Sequence, residues 1–288
     1  MSHKISRRQA LMLGGGALAG AATLGSVAGA ESASAAKGRP DSAARPRPAQ
    51  AASDWVRLPV ITANIGRKNL GAREAAIRDV RNGDPGNRPF VGWQEISEGD
   101  SGEPAIISQY FGDAYQNAFL HHDTSYRVPI SVPQPWTVVN SQATFVHPGI
   151  SGVTPPRWIN EVAVEHPAYP GLKFVMINSH YIAGAYNGGQ NPNLRDEWDL
   201  HKKTHREQVM AHHDRGHLVI WTADTNNANY DQATGQPDEH KVFANGIDRI
   251  DWLPGDGTVQ LELLTAKTIP MAVDGHEARE AIFRIRLA

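Results

Sequence analysis

The 288-residue chain contains no cysteine, which excludes a disulfide framework and any thiolate chemistry. It has little net charge, −2 with the histidines neutral. No stretch is apolar enough for a convincing membrane anchor. The best one, Leu13 to Ala30, is too rich in Gly and Ala to favour spanning a bilayer. Internal repeats and a second domain boundary are also missing. What remains is an ordinary globular balance of 40% hydrophobic and 20% charged residues. At this length the chain forms one large domain or two small ones, with a sizeable core that needs no staples.

The small net charge hides an asymmetry. Residues 1–53 carry seven basic side chains against Glu31 and Asp41, a net of +5, which leaves −7 for residues 54–288. An acidic body argues against tight, nonspecific storage of nucleic acid. It does not exclude a nuclease, because bound divalent cations invert the local field. Ser6-Arg7-Arg8-Gln9-Ala10-Leu11-Met12 resembles a twin-arginine export signal, with Ala10 where a bulkier apolar residue is usual. Small-residue cleavage sites follow at Ala28–Ala30 or Ser34–Ala36. The expected organisation is an export signal over 1–36, a disordered Pro/Ala/Arg linker over 37–53, and one domain over 54–288 that starts near Trp55. The implied partner of the N-terminus is the twin-arginine export machinery, and the implied location is extracellular.

Beyond residue 55, five apolar runs share a feature. Val60–Ile65, Phe90–Glu95, Leu172–His180, Leu218–Asn226 and Ile247–Trp252 each read as a buried strand that carries polar residues at or near an end. By period two, Phe174, Met176, Asn178 and His180 share one face, as do Leu218, Ile220, Thr222, Asp224 and Asn226. Polar groups at buried strand ends are costly unless they are paired or face a site. Several of them from distant positions predict one shared pocket at a sheet edge.

Between the runs lie helical patterns. Ala72–Arg81 is amphipathic and stops at Asn82-Gly83-Asp84-Pro85; Arg195–Arg215 reads as a long helix with a polar, solvated face, ending at Gly216. His201 and His205 on it are spaced i, i+4, but no His-Glu-x-x-His pattern supports a zinc site. His121-His122-Asp123 falls in a Pro-rich loop running through Trp136. The loop Tyr186–Pro192 follows His180, and its glycines match no phosphate-cradling motif. The C-terminal run Ala281–Leu287 alternates as a half-exposed strand closing a sheet, with Phe283, Ile285 and Leu287 inward. Alternating helices and strands define an α/β class.

The ordered set Asn64, Gln94-Glu95, Asn178-Ser179-His180, Ala223-Asp224-Thr225-Asn226, Arg249-Ile250-Asp251-Trp252 and His276 resembles the endonuclease/exonuclease/phosphatase family over about residues 55–288. That resemblance implies a DNase I-like four-layer α/β sandwich, with two mixed, mostly antiparallel sheets flanked by helices. It implies a phosphodiester hydrolase that uses Mg²⁺, or Mn²⁺ in its place. Glu95 is then the principal metal ligand, with Asn64 and Asp274 beside it. Asp224 and Asn226 orient the attacking water and hold the phosphate. His180 donates near the phosphoryl group, and His276 acts in acid–base chemistry with Asp251 fixing its tautomer.

Two departures stand out: Val273-Asp274-Gly275-His276 replaces the usual Ser-Asp-His, and Ala223 replaces a common glycine. No acidic partner for His180 is legible. The leading expectation is a secreted nuclease acting on DNA, working as a monomer without a membrane anchor. A sphingomyelinase-like or other phosphoesterase, and a non-catalytic binding member of the same fold, are the alternatives.

Overall fold

A computed structural model describes residues 53–66, 70–96, 102–118, 127–186, 191–273 and 275–288. In chain order the elements are β1 (Val56–Asn64), α1 (Leu70–Asn82), β2 (Phe90–Gln94), α2 (Glu103–Phe111), β3 (Tyr115–Ala118), β4 (Ile130–Pro133), β5 (Thr137–His147), β6 (Arg157–Glu165), β7 (Lys173–His180), α3 (Arg195–His213), β8 (Val219–Asp224), β9 (His240–Lys241), β10 (Asp248–Leu253), β11 (Val259–Ile269) and β12 (Ala278–Leu287). They form two six-stranded sheets, ordered β11-β12-β1-β2-β4-β3 and β5-β6-β7-β8-β10-β9. Each sheet contains one parallel pair, β1 with β2 and β7 with β8. The other pairings are antiparallel.

The layering follows from side-chain parity. Leu58 and Val60 of β1, Phe90 of β2, Phe174 and Met176 of β7, Ile220 of β8 and Ile250 of β10 meet in a common core between the sheets. The alternate residues Ile61, Ala63, Val91 and Trp93 pack outward against Ile77 and Val80 of α1 and Ile107 of α2. On the far side, Val175, Ile177, Val219 and Trp221 pack against Trp198 and Val209 of α3. The result is helices, sheet, sheet, helix, the four-layer sandwich of the DNase I-like fold. No helix among the described residues is long and apolar enough to cross a membrane.

Three expectations change. The C-terminal strand does alternate, but β12 lies between β11 and β1, so β11 and not β12 forms the sheet edge. The segment through Trp136 is not all loop: it contains β4, and Trp136 is a core residue packed edge-to-face on Phe90 and Phe174. The α3 histidines are not a solvated face. Trp198, His201, His205, Val209 and His212 form one buried stripe at helical spacing. Counting histidine as polar hides that stripe. Each ring makes a contact inside, Ser179 Oγ with His201 Nε2 (2.6 Å), Tyr181 OH with His205 Nδ1 (2.8 Å) and Glu161 with His212 Nε2 (3.1 Å), while His201 Nδ1 and His205 Nε2 are buried without a hydrogen-bond partner among the described residues.

Candidate functional site

Strand direction brings the polar strand ends together. Because β1 and β2 run parallel, Asn64 and Glu95 leave the sheet at the same rim. The parallel pair β7 and β8 delivers His180 beside Asp224 on the facing sheet. β10 runs antiparallel to β8, so it is the start of β10, Asp248, that stands opposite Asp224. β12 runs antiparallel to β1, so the turn carrying His276 also opens at this rim.

Beneath the rim lies a polar floor between the sheets. The Gln94 amide donates to Asn178 Oδ1 (2.7 Å), and Thr222 Oγ1 donates to the same oxygen (3.0 Å). The Asn178 amide donates to the carbonyl of Trp93 (2.7 Å). All three side chains are fully buried, and their mutual satisfaction removes the desolvation cost. The network needs a gap in the facing strand. A Cβ on Gly92 would stand 2.0 Å from Thr222 Oγ1 and 2.7 Å from Asn178 Oδ1.

Asp224 is the centre of the rim. Its Oδ2 accepts from Asn64 Nδ2 (2.7 Å) and its Oδ1 from the Asn226 backbone N–H (2.8 Å). Asn64 Oδ1 accepts from the Gly66 N–H (2.9 Å), so both ends of this amide are used in holding Asp224. Burial, and then the Asp248 charge, push the Asp224 carboxyl up to about 7.

His180 Nε2 lies 3.5 Å from Asp224 and 3.8 Å from Glu95. Its Nδ1 is 3.0 Å from Arg157 Nη1, and Arg157 Nη2 donates to Thr154 Oγ1 (3.0 Å). A guanidinium only donates, so Nδ1 is the acceptor and Nε2 carries the hydrogen. Asn226 Nδ2, 3.1 Å from that nitrogen, donates to the Tyr181 carbonyl. Burial, and then the Arg157 charge, hold the imidazole well below its ordinary pKa. The partner missing from the sequence reading is therefore a cation. No motif around Arg157 announces it; only the register of β6 with β7 brings it to His180.

The carboxylate of His276 is a correction. Asp248 Oδ1 lies 3.6 Å from His276 Nδ1. Asp251 instead receives Arg249 Nη2 at 2.8 Å and is fully buried. Parity explains the switch: Asp248 shares the inner face with Ile250, whereas Arg249 and Asp251 point outward, where Arg249 also donates to the Tyr230 carbonyl. Burial disfavours the charged imidazole of His276. The neighbouring Asp248 carboxylate, with the charges of Asp224 and Glu95, outweighs that and raises its pKa to about 9. Donor atoms of Asp224, Asp248 and His276 lie within 4.8 Å of one another. Asp274 and His121–Asp123 fall outside the described residues.

Two non-glycine residues among those described have positive φ, Glu95 (61°) and Asn226 (48°). Both are at this rim. A glutamate there is strained by roughly 1–2 kcal/mol, and such strain concentrates where side-chain placement matters more than local comfort.

Fold and rim together define a DNase I-like sandwich with an acidic, histidine-containing strand-end site. Solved structures with this architecture include an endonuclease/exonuclease/phosphatase family protein from Bacteroides thetaiotaomicron (TM-score 0.57, 12% identity, 81% of this chain and 99% of that one). A humanized D. rerio TDP2 is similar (0.56, 15%, 79% and 98%), as is a mannosyl-6-phosphatase from Bacteroides thetaiotaomicron (0.51, 13%, 80% and 98%). Identities this low show a shared fold and no more. No family model matches the chain, and no curated protein matches it in sequence.

Proposed function

We propose that the chain is a divalent-metal-dependent phosphodiester hydrolase of the endonuclease/exonuclease/phosphatase family. The observation that carries this reading is the convergence of Asn64, Glu95, His180, Asp224, Asn226, Asp248 and His276, from six chain segments, on one rim. The donor set fits a hard cation. Asp224 and Asp248 are both buried, and Asp248 Oδ1 is buried without a hydrogen-bond partner. Glu95 is the carboxylate that reaches the opening, about one-fifth exposed. Glu95, with Asp224 and Asp248 beside it, would hold Mg²⁺ or Mn²⁺. The cation would neutralise charge building on the phosphoryl oxygens.

The chain's own groups supply the remainder. Asp224, held by Asn64 and Asn226, is oriented to accept a proton from the attacking water. His180 offers a fixed Nε2–H to a phosphoryl oxygen. His276, kept protonated by Asp248, faces the charge that develops on the leaving oxygen.

DNA is our reading of the substrate and the cell exterior of its location. Both rest on the export-like N-terminus and the family resemblance, and no residue is assigned to base recognition. Incubation of the protein with supercoiled plasmid and Mg²⁺ is expected to give nicked circles, abolished by EDTA. An intact plasmid alongside cleaved sphingomyelin would replace DNA by a lipid. Failure on both, and on a phosphomonoester panel, would favour a binding member of the fold.

A further inference from the structure

Two chain segments meet on the β10–β12 side of the site. One runs from Phe243 to Asp248 and ends in the carboxylate that faces His276. The other runs from His276 to Arg279 and enters β12. Their first contact is the His276–Asp248 pair. The second contact has no part in the chemistry above. The Arg279 guanidinium lies 4.8 Å from the centre of the Phe243 ring and donates from Nη1 to the Asn245 carbonyl. It also fills the space over Gly246, where a Cβ would stand 2.0 Å from Nη2 and where φ is +105°. The loop is shaped around this side chain.

Arg279 points inward. It pairs across from Thr62 of β1, and its parity partners Ala281, Phe283 and Ile285 lie in the intersheet core. Partial burial lowers its pKa, opposed first by the charge of Asp248. We propose that Arg279 is a positioning residue: it clasps residues 243–247 to the start of β12 and so holds Asp248 against His276. A planar guanidinium can stack on Phe243 and donate sideways to Asn245 at once; a lysine ammonium cannot.

The test uses the full chain and variants Arg279→Ala, Arg279→Lys and Gly246→Ala, with Arg284→Ala as control. Arg284 lies on the same strand in an exposed pair with Glu262. Amide exchange over 242–248 is expected to quicken in all three variants and not in the control. On bis(p-nitrophenyl) phosphate, kcat should fall about 10–100-fold with KM nearly unchanged, as for a residue that orders the catalytic pair rather than binds substrate. Guanidinium added to Arg279→Ala should restore part of kcat, and should not do so for Gly246→Ala. The double variant should be no worse than the poorer single. Unchanged exchange over 242–248 in Arg279→Ala would overturn the clasp. The activity readout rests on the phosphodiesterase reading. Should the unaltered protein prove inactive, that reading fails while the exchange result still decides the clasp.

Discussion

Arg157 Nη1 donates to His180 Nδ1 at 3.0 Å, and this contact fixes which imidazole nitrogen carries the hydrogen. The ring presents Nε2–H to Asp224 and Glu95 and stays neutral. Replacing Arg157 by methionine keeps most of the packing and removes the donor. The Nε2–H tautomer should then lose its preference, visible in the imidazole ¹⁵N shifts. Turnover should drop about 10²-fold. An unchanged tautomer would show that the neighbouring carboxylates suffice.

Asp248 and Asp251 sit three residues apart and should behave differently. Asp248→Asn is expected to lower kcat by about 10²–10³-fold. Asp251→Asn leaves the buried Arg249 without its carboxylate. It should cost about 3–5 kcal/mol of stability, read by urea unfolding, while folded protein keeps its activity.

Gly92 of β2 faces Thr222 and Asn178 of the other sheet across the polar floor. Gly92→Ala drives a methyl into Thr222 and Asn178. Overpacking of this kind typically costs about 1–3 kcal/mol. Here it also breaks hydrogen bonds to the Asn178 amide, so a urea midpoint shift at the upper end is expected.

The site should make stability pH-dependent. The folded pKa of His276 is raised from 6.5 to about 9, so its contribution is full below 6.5 and lost as pH rises through about 9. Asp224 is raised from 3.8 to about 7, so the folded state also binds this proton more tightly, and that contribution is lost as pH rises through about 7. Both slopes have the same sign. Burial holds His147, His166, His180, His201, His205 and His217 below 6.5 in the folded state, so their contribution has the opposite sign and is lost as pH falls below about 6.5. The melting temperature should therefore rise from pH 5 to about 6.5 and fall from there to pH 9, and Asp248→Asn, which removes a charge acting on both His276 and Asp224, should flatten the alkaline limb.

Much of the fold was legible because period-two runs expose strand parity directly. His180 and Asp224 lie on the faces that alternation assigned them, and Asn64 and Glu95 leave strands that were visible as apolar runs. Where a single strand holds two acids, parity separates them. Counting back from Ile250, an inner residue, places Asp248 inside and Asp251 outside. The histidines of α3 were obscured because a ring that hydrogen-bonds in a core looks polar in sequence. Arg157 and Arg279 were not legible at all. Arg157 meets His180 across neighbouring strands of one sheet, and Arg279 meets Phe243 and Asn245 across the two sheets, in each case over tens of residues that no local pattern connects.

The central claim is that the rim formed by Glu95, Asp224, Asp248 and His276 hydrolyses phosphodiesters with a divalent cation. The most direct test is the turnover of bis(p-nitrophenyl) phosphate by the purified protein with Mg²⁺, Mn²⁺ or EDTA, beside Glu95→Ala and His276→Ala. The account predicts cation-dependent hydrolysis that EDTA stops and that each substitution lowers by at least about 10²-fold. Hydrolysis that survives EDTA, or that both variants retain, would contradict it.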